Sequence, residues 1–230
     1  METLYTIPVN MAFEECADSQ ENCCPFCRLY AELEDTELEY ILGASMMEPD
    51  VRVKTNEQGF CPQHFSMMLG RKNRLPFALM RESHLMEIDK HSSRMGFVDK
   101  ELPALEKSCY VCGRIEQKFP KMLETAAILW DRDPEFRKKL AAQHLLCLPH
   151  YRMLLTAGKG IVGKKKYAAF KEDVDAVFRP YFESLMADTS WFCKKFDYRY
   201  DAEPWGTAKD APERVVKFLC GDLHTVTKKK

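Results

Sequence analysis

Six cysteines and two histidines fall into a pattern suited to metal chemistry. Cys24-Pro25-Phe26-Cys27 is followed by Cys61-Pro62-Gln63-His64, and Cys109-Tyr110-Val111-Cys112 is followed by Cys147-Leu148-Pro149-His150. The gap is 33 residues in the first set and 34 in the second, and the two sets are offset by 85 or 86 positions. Two ligands separated by two residues can grip one ion from a single tight turn, and a second such pair completes a tetrahedron. Three thiolates and one imidazole are the donors of a closed structural zinc site. With each C-x-x-C taken together with the C-x-x-H that follows it, site one is Cys24, Cys27, Cys61 and His64. Site two is then Cys109, Cys112, Cys147 and His150, and the expectation is two zinc ions per chain. An iron–sulfur cluster on three cysteines and one other ligand is the alternative, although clusters favour other spacings. A lone C-x-x-C would also fit a thioredoxin-like redox pair, but no strand–helix–strand pattern surrounds either one.

The elements that must position these ligands read as helices. Leu29, Leu33 and Tyr40/Ile41 follow the first C-x-x-C at helical spacing, as do Ile115, Phe119, Met122/Leu123 and Ala126 after the second. Glu48-Pro49-Asp50 and Asp133-Pro134-Glu135 are matching helix starts, with proline suited to the first turn and acids to its positive end. Longer helical patterns close each half at about 76–95 and about 165–196, and a short one follows near 211–220. The period-two alternation of strands is nearly absent. The chain is therefore expected to be all-α, a helical unit of about 85 residues occurring twice. Its parts are an N-terminal segment (1–22), a first repeat (23–98), a second repeat (105–190) and a tail packed on the core (191–230), with both repeats in one domain. Loops are expected at 43–48, 70–75, 98–104, 131–133 and 156–164, and a disordered end at Lys228–Lys230.

Lys+Arg at 34 and Asp+Glu at 35 give no charge bias toward nucleic acid or an anionic membrane. No apolar run suggests a membrane span, and the first residues lack the pattern of a secretory signal, so the cytoplasm is the expected compartment. Ten cysteines there point to metal or redox chemistry rather than stable disulfides. Cys16, Cys23, Cys193 and Cys220 are left over and read as buried thiols, with Cys23 a possible substitute for Cys24.

Weaker signals have ordinary explanations. Gly158-Lys159-Gly160-Ile161-Val162-Gly163-Lys164-Lys165 imitates a phosphate-binding loop, but Lys165 stands where a magnesium-binding hydroxyl is needed and the segment follows a helix. His84 and His91, with Glu87 between them and Glu82 and Asp89 nearby, read as one helix face. The loop carrying Asp197, Arg199, Asp201, Glu203 and Trp205 is either packed on the core or a binding site.

Tyr5-Thr6-Ile7-Pro8-Val9, the first C-x-x-C, the run Leu42–Arg52, Gly59-Phe60-Cys61-Pro62-Gln63-His64 and Glu203-Pro204-Trp205-Gly206 together resemble a family of uncharacterised bacterial proteins. That resemblance covers nearly the whole chain and implies no activity. The functional expectation is a zinc-binding scaffold or binding module, with a protein as its partner. The alternatives are a thiol or metal redox sensor, an enzyme with a site near 197–206, and, against the charge balance, a nucleic-acid binder.

Overall fold

Prolines set the starts of most helices. The structure, a computed structural model, describes residues 4–19, 23–43, 47–72 and 74–221. Among these residues there are eleven α-helices and no strand. They are α1 (Thr6–Asp18), α2 (Pro25–Leu42), α3 (Pro49–Gln58), α4 (Pro62–Leu69), α5 (Leu75–Ser92) and α6 (Leu102–Lys107). The second half adds α7 (Tyr110–Arg132), α8 (Pro134–Ala141), α9 (Leu148–Ile161), α10 (Tyr167–Lys194) and α11 (Ala211–Cys220). Eight of the twelve prolines stand at the first or second position of a helix, where the missing N–H costs nothing.

The helical patterns near 76–95, 165–196 and 211–220 correspond to α5, α10 and α11. Three of the expected loops do not: at 131–133, α7 runs through Arg132 and only Asp133, the cap of α8, stands outside a helix. Residues 98–104 are helical, a π-turn at Phe97–Glu101 running into α6, because Leu102-Pro103 supplies another helix start. Residues 156–161 extend α9, whose buried Gly158 lets Phe170 of α10 approach closely. Parts of the loops at 43–48 and 70–75, and the Lys228–Lys230 tail, lie outside the described residues.

The chain divides into two compact units. Unit 1 combines Met1–Ala31 with Phe119–Lys230, and unit 2 is the intervening Glu32–Lys118. The divisions fall inside α2 and α7, because helices of 18 and 23 residues, about 27 and 35 Å long, exceed what one small core covers.

In unit 1, α1 packs on α8, and α10 packs on α8, α9 and α11. Phe13 lies against Phe26 and Phe136 with ring centroids 5.4 and 4.8 Å away. Phe178 stacks on Tyr151 at 4.0 Å and sits 5.5 Å from Phe218. In unit 2, α3 packs on α5, and the core includes Leu38, Ile41, Met68, Met80 and Val111. Glu37 is buried there and takes ion pairs from Arg114 (3.0 Å) and from Lys118, so the charge is compensated where an isolated carboxylate would be costly.

Candidate metal centres

Every C-x-x-C and C-x-x-H begins a helix. Cys61 and Cys147 are the caps of α4 and α9, and their carbonyls accept from the N–H of Phe65 (3.0 Å) and Tyr151 (2.8 Å). Cys24 and Cys109 immediately precede α2 and α7, and their carbonyls accept from Arg28 (3.1 Å) and Gly113 (3.0 Å) in the same way. A helix N-terminus presents unpaired N–H groups and a partial positive charge, which favours a thiolate.

The helix starts converge in two groups, but not in the combination that sequence order suggests. Cys24 and Cys27 meet Cys147 and His150 in unit 1, while Cys61 and His64 meet Cys109 and Cys112 in unit 2. Each C-x-x-C is thus completed by the C-x-x-H of the other half, which corrects the expected pairing. The physical cause is helix length. The return through α3, only 10 residues or about 15 Å, does not retrace the 27 Å of α2. His64 therefore arrives beside Glu34, seven residues or about 10 Å along α2 from Cys27. In the second half, α8 has 8 residues against 23 in α7, and His150 arrives beside Phe119, seven residues past Cys112.

The donor atoms of each group lie within 4.8 Å of one another. In unit 1, His150 Nδ1 is 3.1, 3.4 and 3.8 Å from the sulfurs of Cys147, Cys27 and Cys24, and Cys27 and Cys147 sulfurs are 3.6 Å apart. In unit 2, His64 Nδ1 is 3.1, 3.2 and 3.5 Å from Cys61, Cys109 and Cys112, and Cys61 and Cys112 sulfurs are 3.9 Å apart. A tetrahedral zinc ion would set sulfur–sulfur edges of about 3.8 Å and sulfur–nitrogen edges of about 3.6 Å. The residues present fit that ion.

Electrostatics points the same way. Hydrogen bonds to Cys147 and Cys24, and then burial, push the Cys27 thiol far up; Cys147 is raised by its bond to Cys24. Burial would raise Cys24 as well, but bonds to Cys147, Cys27 and His150 hold it well below the usual thiol range. In unit 2, burial raises Cys109 while His64 and two backbone groups bring it to about 6; Cys112 is pushed up by burial and by the Cys109 charge. One thiol in each group is thus held low, Cys24 by its hydrogen-bonding neighbours and Cys109 by His64 and backbone groups. Three thiolates in that space require a cation, and a divalent ion supplies it.

The two centres differ in what supports the imidazole. His64 Nε2 donates to Glu34 Oε1 at 3.0 Å, and both side chains are 2 % exposed. Burial alone would lower this histidine, but the bonds to Cys109 and Glu34 raise it to about 10. Phe119, 85 positions after Glu34, takes the corresponding place beside His150, at a ring distance of 5.3 Å. A carboxylate behind a metal-binding imidazole fixes its tautomer and raises its basicity. Glu34→Gln is therefore expected to weaken metal binding at the unit 2 centre about 10–100-fold and leave the unit 1 centre unchanged. A competition titration against a chelator of known affinity reads both; equal weakening at the two centres would refute this role. Sequence reasoning missed Glu34, since one acid among many in Ala31-Glu32-Leu33-Glu34-Asp35 carries no local mark of burial.

The other candidates are placed elsewhere. Asp197 caps the turn Tyr198–Tyr200 and pairs with Arg199, whose Nε lies 3.0 Å from Asp197 Oδ2. Asp201 and Glu203 contribute backbone rather than carboxylates: Lys195 Nζ donates to the carbonyls of Tyr200 (2.7 Å), Asp201 (3.0 Å) and Glu203 (2.7 Å). Trp205 covers that ammonium at 5.4 Å, and Trp191 Nε1 donates to the Pro204 carbonyl at 3.0 Å. The loop is wound around Lys195, a buried residue sequence reasoning passed over. His84 is buried with Nδ1 2.9 Å from the Asn56 carbonyl, whereas His91 lies between Glu87 (3.1 Å) and Glu101 (2.8 Å) on the surface. They share no site. Gly158 and Gly160 lie within α9, so the first half of the phosphate-loop imitation is helix, while Gly163-Lys164-Lys165 follow outside any helix.

The four remaining cysteines are not the buried thiols expected. Cys16 and Cys23 are joined as a disulfide, and Cys193 and Cys220 are exposed. Cys193 lines an apolar cavity of about 310 Å³ between α10 and α11, with Phe182, Leu185, Met186 and Phe218. No helix among the described residues is long and apolar enough to cross a membrane.

No curated protein and no solved structure matches this sequence. A family model does match, over residues 1–226, and the chain with its two Cys/His centres belongs to the family of unknown function DUF6062.

Proposed function

We propose that the chain is a zinc protein of the bacterial cytoplasm, with two closed Cys3His ions holding a duplicated helical framework that works by binding a protein partner. The observation that carries this reading is the convergence of four donors, within 4.8 Å, in each unit. Four protein ligands fill a tetrahedron and leave no position for water or substrate, so such an ion contributes folding energy rather than catalysis. The 3.6 Å separation of Cys27 and Cys147 sulfurs, from different helix starts, suits one ion. A cluster distributes its cysteines over separate irons and spreads them wider. Elements in the same order support the duplication: α2 and α7 start 85 positions apart, as do α3 and α8, while α4 and α9 start 86 apart.

Elemental analysis with an absorption spectrum, on untagged protein purified without oxygen, tests this. Two zinc ions per chain and no colour are expected; iron with sulfide, or no metal, would overturn it. A second reading, a thiol and metal redox sensor, draws on the half-buried Cys61, Cys109 and Cys112, since exposed thiolates are the ones oxidants reach.

A further inference from the structure

Cys16 and Cys23 lie outside both metal groups, and one of them adjoins a ligand. Cys16 is on the buried face of α1, 1 % exposed, about one turn after the buried Phe13. Cys23 directly precedes Cys24, is half-buried, and is bonded to Cys16 across a sequence separation of 7 with Cα atoms 5.3 Å apart. The bond therefore ties the start of the unit 1 metal knuckle to α1.

Unit 2 performs the same tethering without redox chemistry. Ser108 stands 85 positions after Cys23 and directly precedes Cys109. Its hydroxyl is within reach of the carbonyls of Gln58 (2.5 Å) and Leu105 (3.0 Å), and the neighbouring Tyr110 N–H donates to the Gly59 carbonyl at 3.0 Å. At one position before each C-x-x-C, one unit thus uses a hydrogen bond and the other a disulfide.

We infer that Cys16 and Cys23 are a reversible redox-modification site that sets how firmly the unit 1 centre retains its metal. This rests on the metal reading above and adds its regulation. In a reducing compartment, disulfides that do form are usually transient or sensing. The oxidant is a hydroperoxide. The more accessible Cys23 thiolate attacks its outer oxygen, the O–O bond breaks, and the alkoxide takes a proton and leaves as an alcohol. The Cys16 thiolate then attacks the Cys23 sulfenic sulfur, and hydroxide leaves as water with the remaining proton. Two thiols and one hydroperoxide become one disulfide, one alcohol and one water; a dithiol reductant reverses the step by exchange. When reduced, Cys24 loses its tether and gains an adjacent thiol that competes for the ion. When oxidised, Cys24 is held in place.

The test uses the full chain loaded with zinc, its disulfide state read by mass spectrometry of alkylated peptides. Zinc transfer to a chromophoric chelator is timed before and after reduction by a phosphine. One zinc is expected to leave about tenfold faster after reduction, the size of effect that groups supporting metal ligands carry, with the other unchanged. Alkylation of Cys24, Cys27 and Cys147, ahead of Cys61, Cys109 and Cys112, would identify the unit 1 ion as the labile one. The Cys16→Ser/Cys23→Ser variant should release at the fast rate in both conditions. Two bound zinc ions with rates indifferent to reduction, or no Cys16–Cys23 cross-link after peroxide, overturns this inference and leaves the metal reading intact. A protein that binds no metal overturns both.

Discussion

Serine at both Cys24 and Cys147 is expected to leave one zinc ion per chain, whereas serine at both Cys24 and Cys61 is expected to leave none. The first pair removes two donors from one tetrahedron, and the second pair damages both. Had each C-x-x-C been completed by its own half, these outcomes would be reversed. The stoichiometry therefore decides the pairing without any structural measurement. The accompanying loss of stability is large. Structural zinc in small sites contributes on the order of 10 kcal/mol at neutral pH, comparable with the whole stability of an ordinary domain. Hydrogen exchange on the Cys24→Ser/Cys147→Ser variant should show unit 1 opening, with the helices α8 to α10 losing protection while α3 and α5 keep theirs. Protection lost evenly throughout the chain would count against two separately stapled units.

The eight donors were legible because their chemistry is local: a C-x-x-C or a C-x-x-H needs only one turn, and proline marks the helix beginning there. The partnership between them was not. It depends on where a returning helix stops, and hydrophobic periodicity fixes helix ends too loosely to show that α3 has 10 residues against 18 in α2. At 197–206 the charged side chains left packing and binding both open, for a related reason. Asp201 and Glu203 drew attention as carboxylates, yet it is their carbonyls that bind Lys195. Backbone acceptors are the same in every sequence and leave no trace in it. The Cys16–Cys23 bond was hidden because a cytoplasmic expectation assigns spare cysteines to packing, and nothing in a seven-residue separation contradicts that.

Gly158→Ala is expected to destabilise unit 1 by about 3 kcal/mol, the upper end of what overpacking costs. A Cβ at this position would stand 2.1 Å from Phe170 Cε1, 2.7 Å from Cδ1 and 2.9 Å from Cζ. The ring has little room to move: it is 1 % exposed and lies against Trp130 at 5.1 Å, whose own Nε1 donates to Asp173 at 2.8 Å. In an open helix the same substitution should stabilise by about 0.5–1 kcal/mol, since alanine costs less backbone entropy than glycine. Gly160, two residues on in α9 and with nothing within 4 Å of its Cβ position, supplies that control. Denaturant unfolding of Gly158→Ala and Gly160→Ala should therefore give effects of opposite sign. Phe170→Leu should recover part of the loss in the double variant, because it removes the atoms that clash. His150 lies two turns back along the same helix, so a displaced α9 should also release the unit 1 zinc sooner. A neutral Gly158→Ala would mean that α9 and α10 are not in the contact that seats this histidine.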